Sequence, residues 1–204
     1  MMLHQHPGGL ALTKRLIDFC LFLPGARVLD IGCGTGTTVQ YLQDVCRLQP
    51  IGVDSAEIRL AQGRSCSPGL ALIQAAGESL PFADAAFDGV VAECSLSVMQ
   101  NQAKVLAEVS RVLAPGGKLA ITDVYLPDSD SSAGYLNTRQ LTTMLEKNGF
   151  TSIIWEDQST FLREFVARYI IEHGAMEDLW PCSPLPKKKL GYFLLIAEKM
   201  ATKG

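Results

Sequence analysis

The sequence predicts an α/β fold: a doubly wound, mostly parallel sheet with helices on both faces. Three observations carry this expectation. Short apolar runs alternate five times with stretches of helical period between residues 28 and 122. The first run, residues 28–31, breaks into glycines on alternate positions, Gly32, Gly34 and Gly36, ahead of Val39, Tyr41 and Leu42 at helical spacing. From Arg27 to Asp54 there are about 28 residues, enough for one strand, a crossover helix and a parallel strand.

The 204 residues, 48% of them apolar, suffice for one domain with a sizeable core. The expected organisation is a single domain over 1–204, with an N-terminal helical cap over about residues 1–24. Net charge is −3 with acids and bases interspersed, so there is no footprint for nucleic acid or an anionic membrane. The basic run Lys187, Lys188 and Lys189 reads as a solvated loop or a phosphate contact. No apolar run approaches the ~20 residues that span a bilayer, and no signal segment is legible, so a cytoplasmic location is expected. Six cysteines are scattered without a Cys-x-x-Cys pair, which suits reduced thiols and predicts no metal site. His4 and His6 fall in a polar tail and are expected to be disordered.

Taken in order, residues 8–23 predict a helix packed beside the first strand, closed by Pro24 and Gly25. The first strand and its glycine loop lead to a helix over about 35–45, a strand over 49–53 and a helix over 56–66. Apolar residues 70–73 predict the third strand and 87–92 the fourth. Val105, Leu106, Val109, Val112 and Leu113 share a face of a helix expected to stop at Pro115, Gly116 and Gly117. Residues 118–122 give a fifth strand, 138–147 a helix and 151–155 a sixth strand. A helix over 161–174 and a final apolar run over 192–197 complete the chain.

A glycine loop after the first strand of a parallel sheet sits where such sheets bind ligands. The third glycine, at Gly36, comes one residue too early for a dinucleotide fingerprint, and Thr37 occupies the expected position. Asp30, just before the loop, would repel a pyrophosphate but favour a ligand carrying an ammonium and a sulfonium. Asp54 ends the second strand, where it can accept from ribose hydroxyls, cap the next helix, or do both.

Val28-Leu29-Asp30-Ile31-Gly32-Cys33-Gly34-Thr35-Gly36, then Gly52-Val53-Asp54, Leu80-Pro81-Phe82, Phe87-Asp88 and Arg111-Val112-Leu113-Ala114-Pro115-Gly116-Gly117 together resemble class I S-adenosylmethionine-dependent methyltransferases. The resemblance covers roughly residues 27–123 and implies seven strands, the last antiparallel, with S-adenosyl-L-methionine as cofactor. It implies Asp30 near the methionine part, Gly32, Cys33, Gly34 and Gly36 in the cofactor loop, and Asp54 with Ser55 at the ribose. Gly77 and Glu78 fall at the adenine end; Ala76 stands where the family often has an Asp, leaving Glu78 or a backbone carbonyl for the adenine contact.

The acceptor is expected to be a small molecule facing residues 93–99, and the protein a monomer or homodimer. Cys94, with residues 105–109 and 122–125, partially resembles arsenite methyltransferases, in which thiolates hold trivalent arsenic. Glu93 replaces the asparagine of that pattern, and Cys182 is the candidate second thiol. The candidate catalytic residues are therefore Cys94, Glu93 and Cys182, serving a thiol or metalloid acceptor. The alternatives are a carbon or oxygen methyltransferase of a quinone-like molecule, with Glu93, Asp123 or Tyr125 as base, or a silent cofactor-binding module. A lid is expected from the segment before Leu10 and the loop over 127–136.

Overall fold

The structure, a computed structural model, describes residues 6–126, 137–174 and 190–201. In chain order the elements are α1 (Gly9–Cys20), β1 (Arg27–Ile31), α2 (Thr37–Asp44), β2 (Gln49–Asp54), α3 (Glu57–Cys66), β3 (Leu72–Gln74) and β4 (Phe87–Glu93). A 3-10 turn, Leu96–Val98, precedes α4 (Gln102–Val112), β5 (Leu113–Tyr125), α5 (Thr138–Lys147), β6 (Phe150–Asp157), α6 (Ser159–His173) and β7 (Gly191–Lys199).

Seven strands form one sheet in the order β3-β2-β1-β4-β5-β7-β6. The pairs linking β1 to β5 are parallel, and β7 runs antiparallel to both β5 and β6. This is the doubly wound, mostly parallel arrangement expected above, Rossmann-like, with the last strand antiparallel. The order reverses between β1 and β4, so a crevice opens at the carboxyl ends of those strands.

The two-residue period of the strands sorts the core. Leu29, Ile31, Val90, Ala92, Leu119, Ile121 and Leu195 meet α4 and α5 on one face. Val28, Val91, Ala120, Leu194 and Ile196 meet α1, α2 and α6 on the other. Each such aliphatic side chain, taken fully out of water, contributes about 1.5–3 kcal/mol.

Three local expectations change. β3 begins at Leu72 rather than at residue 70, because Leu70 closes a turn by donating its N–H to the Ser67 carbonyl. Residues 115–117 do not stop α4: the helix ends at Val112, and Leu113 already pairs with Phe87 as the start of β5. The next pair is Gly89 with Lys118, so residues 114–117 bulge from the ladder, where Pro115 has no N–H to give. Finally, α1 packs mainly over β5 and β7 and shares a core cluster with Val28 of the first strand.

Two of the family-like motifs bind each other. The Arg111 guanidinium donates to the carbonyls of Phe82 (2.7 Å) and Leu80 (3.0 Å) and to Asp84 (2.9 Å). Glu108 accepts from Arg111 Nε at 2.8 Å and from the Leu80 N–H at 2.8 Å. Residues 80–84 and α4 are thus held as one piece, away from the crevice.

Candidate active site

The crevice holds a pocket lined by His6, Leu10, Asp30, Gly32, Cys33, Thr37, Thr38, Arg59, Glu93 and Cys94. Of the residues picked from sequence, Asp30, Gly32, Cys33, Glu93 and Cys94 meet in this one wall. Gly34 and Asp54 are outside that lining and bond each other, Gly36 is the N-cap of α2, and Ser55 follows Asp54 at the end of β2. Gly77 is buried against Met99 and Ile31, and Glu78 accepts from the Asn101 N–H at 3.1 Å, both beyond the lining. Cys182, His4, residues 187–189 and the expected lid over 127–136 lie outside the described residues.

The glycine loop is braced by β2. Gly32 and Cys33 donate their N–H groups to the Val53 carbonyl, and Gly34 donates to Asp54 Oδ2 at 2.9 Å. Asp54 Oδ1 accepts from the Ala56 N–H at 2.8 Å, so the helix-capping role weighed for Asp54 is present, and each oxygen keeps a second lone pair. Gly32 has φ +77, and a Cβ there would lie 2.4 Å from Ser95 Cβ, so the position admits no larger residue without displacing Ser95. Ser95 is fixed by donating to the Ile31 carbonyl at 2.7 Å.

Asp30 is 3% exposed, and its Oδ2 is buried without a hydrogen-bond partner. Burial drives its carboxyl well above the usual range, and the charges of Glu93 and Asp54 push the same way. An unpartnered carboxylate oxygen beside a glycine loop, with a second carboxylate in the same pocket, is the donor chemistry that a cationic ligand satisfies. The pocket therefore fits the ammonium and sulfonium of S-adenosylmethionine and opposes a pyrophosphate.

Glu93 ends β4 with its side chain 4% exposed. It accepts from Thr38 Oγ1 at 2.8 Å and from Thr13 Oγ1 at 3.0 Å, and His6 Nε2 stands 3.8 Å away. Cys94 takes a left-handed φ of 51, uncommon outside glycine, and its Sγ lies 3.1 Å from Tyr192 Oη. Tyr192 donates to Thr122 Oγ1 at 3.1 Å, so the Cys94 S–H donates to Tyr192. Burial first, then the nearby Asp123, holds the Cys94 thiol well above its usual range and hence neutral. Asp123, raised by burial to about 6, accepts from the N–H groups of Ser97 (2.8 Å) and Val124 (2.7 Å). It fixes the turn after β4.

His6 corrects the sequence reading. It is ordered, its side chain only 12% exposed, because residues 6–9 form a turn closed by Gly9 N–H to His6 carbonyl at 3.1 Å. Pro7 holds the second position and Gly8, with φ 79 and ψ −18, the third, which is type II geometry. Gly8 also seats against Leu12 and Phe161, locking the turn onto α1. The signal was present as Pro-Gly before a helix; Thr13, Thr38 and Tyr192 carried none, since their partners are about 80, 55 and 98 residues away.

Residues 29–121 match the profile described as a methyltransferase domain, and residues 78–174 match that of the N-terminal part of anamorsin. The O-methyltransferase cnsE of Penicillium expansum is 33% identical, over 86% of this chain and 73% of its own length. The chain belongs to the class I S-adenosylmethionine-dependent methyltransferases. A demethylmenaquinone methyltransferase of Renibacterium salmoninarum is 35% identical over 56% of this methyltransferase chain and 48% of its own. With several curated relatives the chain spans about half their length. Among solved structures, the (4+2)-cyclase SpnF superposes with a TM-score of 0.75 and 25% identity, over 94% of this chain and 80% of its own. The cofactor of the family is S-adenosyl-L-methionine.

Proposed function

We propose that this methyltransferase carries the methyl group of S-adenosylmethionine to an oxygen, or an acidic carbon, of a small molecule. The observation that carries the reading is the buried, unpartnered Oδ2 of Asp30, a residue that lines the pocket with Gly32. In this reading Asp30 takes the ammonium, Gly32, Cys33, Gly34 and Gly36 let the backbone approach the methionine, and Asp54 with Ser55 faces the ribose. Gly77 and Glu78 serve the adenine end. When bound, the cofactor supplies a methyl group already electrophilic on sulfur, so the chain's task is to align the acceptor and keep water out.

The preference for oxygen or carbon rests on the relatives, described as an O-methyltransferase and a demethylmenaquinone methyltransferase. It rests also on the Cys94 thiol, whose proton is committed to Tyr192. A soft thiol or metalloid acceptor stays as the second reading because Cys94 lines the pocket. No group of three metal-ligating side chains occurs among the described residues. A cytoplasmic location belongs to the proposal, supported by five free cysteines among the described residues; no helix there is long and apolar enough to cross a membrane.

Calorimetry with S-adenosylmethionine, followed by a labelled-methyl assay over phenol, quinol, thiol and arsenite acceptors, tests the reading. Binding with transfer to phenols or quinols supports it. Transfer to thiols or arsenite that disappears in Cys94→Ser selects the second reading, and binding without transfer to any acceptor, cell extract included, makes the chain a silent cofactor-binding module.

A further inference from the structure

We propose that Glu93 joins Asp30 in a two-carboxylate clamp for the ammonium of the cofactor. The inference rests on the cofactor reading of the pocket and deepens it, by giving that ammonium a second acid whose presence links binding to a proton.

Strand register brings the two acids together. Asp30 of β1 pairs with Val91 of β4, and Glu93 lies two residues further along β4, on the same face of the sheet. Both line the pocket, Asp30 3% exposed and the Glu93 side chain 4%. Their partners differ. Glu93 is held from α1 by Thr13 Oγ1 (3.0 Å) and from α2 by Thr38 Oγ1 (2.8 Å), whereas Asp30 Oδ2 is buried without a donor. Two buried carboxylates on one pocket repel each other when both are charged, so the free protein keeps a proton on Asp30, the acid with the unpartnered oxygen.

An ammonium takes the place of that proton. The Asp30 O–H bond breaks, the proton passes to solvent, and the N–H groups of the ammonium give each carboxylate a charge-assisted donor. The other titratable or charged groups around the pair are Asp54 on β2, His6 in the N-terminal turn, Cys33 in the glycine loop, Arg59 on α3 and Cys94 after β4. The Asp54 charge raises Asp30 further, burial holds both thiols neutral, and Arg59 is exposed. His6 Nε2 stands 3.8 Å from Glu93 Oε1 and, when protonated, competes with the ammonium for that carboxylate. The Asp30 proton and a charged His6 both oppose the ligand at low pH, so affinity rises with pH.

The test uses S-adenosylhomocysteine, which keeps the ammonium, and 5′-methylthioadenosine, which lacks the amino-acid part. Calorimetry at pH 7 in two buffers of different ionisation enthalpy is expected to show proton release with S-adenosylhomocysteine and none with methylthioadenosine. Affinity for S-adenosylhomocysteine rises about 10-fold between pH 6 and pH 8. In Glu93→Gln that affinity falls about 10-fold at pH 8 and levels off at a lower pH, while methylthioadenosine binds as it does to wild type. Asp30→Asn abolishes the proton release. A wild type that binds S-adenosylhomocysteine without releasing a proton overturns the proposal, whether or not the variants fold. So does a Glu93→Gln protein with wild-type affinity and pH dependence, or one that loses methylthioadenosine equally, which makes Glu93 a structural residue. A wild type that binds neither S-adenosylmethionine nor S-adenosylhomocysteine overturns the cofactor reading and the clamp with it, whereas binding without proton linkage removes only the clamp.

Discussion

Asp30 concentrates the chemistry of the pocket in one side chain. Its charge is costly in the free protein, because Oδ2 is buried without a hydrogen-bond donor, and useful once a cation arrives. Asp30→Asn is therefore expected to move two quantities in opposite directions. Cofactor affinity, read by calorimetry, falls about 10- to 100-fold with the loss of a charge-assisted hydrogen bond. The ligand-free protein becomes more stable at neutral pH. The sign follows from the raised carboxyl: such a group favours the fold while protonated and loses that contribution as pH rises through its folded pKa. Thermal unfolding of both proteins without ligand at pH 5 and pH 8 checks this, and a ligand-free variant less stable than wild type at the upper pH would contradict it.

At the scale of elements, α4 and residues 80–84 are coupled through Glu108 and Arg111. The Arg111 guanidinium and the Leu80 N–H bring the Glu108 carboxyl down from 4.5 to about 2. A lowered carboxyl supplies stability above its unfolded pKa and loses it as pH falls through the folded one. Glu108→Gln is thus expected to cost about 1 kcal/mol at pH 7, at the low end for a charged hydrogen bond because solvent reaches the Arg111 side chain. That deficit should shrink between pH 4.5 and 2, as urea midpoints across that range would report. Catalysis should be little affected, since neither residue lines the pocket. The sequence marked both stretches as motifs, and only the fold shows that their conservative-looking chemistry serves each other rather than the ligand.

For the molecule as a whole, the pocket joins the N-terminal turn, the β1 loop, α2, α3 and the end of β4. A ligand that binds only the assembled form stabilises it by mass action, about 2.7 kcal/mol at a hundredfold excess over Kd. For a chain of this size that corresponds to a rise of roughly 5–10 °C in Tm, measurable by differential scanning with S-adenosylmethionine. Asp30→Asn should show the smaller rise at equal ligand concentration. The alternation of strands and helices and the glycine loop were legible because each is local, period and punctuation sufficing for them, whereas the antiparallel last strand was implied only by the family resemblance. Asp30, Gly32, Cys33, Glu93 and Cys94, candidates read from the sequence at or just past the carboxyl end of a strand, line one pocket. What the linear sequence could not determine was the company they keep. His6 reads as tail until the type II turn lays it beside Glu93, and Tyr192 reads as core until its hydroxyl meets Cys94 from a strand about 98 residues on. Local periodicity decides what each segment becomes, but proton sharing and charge pairing depend on distances of a few ångströms between segments far apart in the chain, and those only the packed sheet decides.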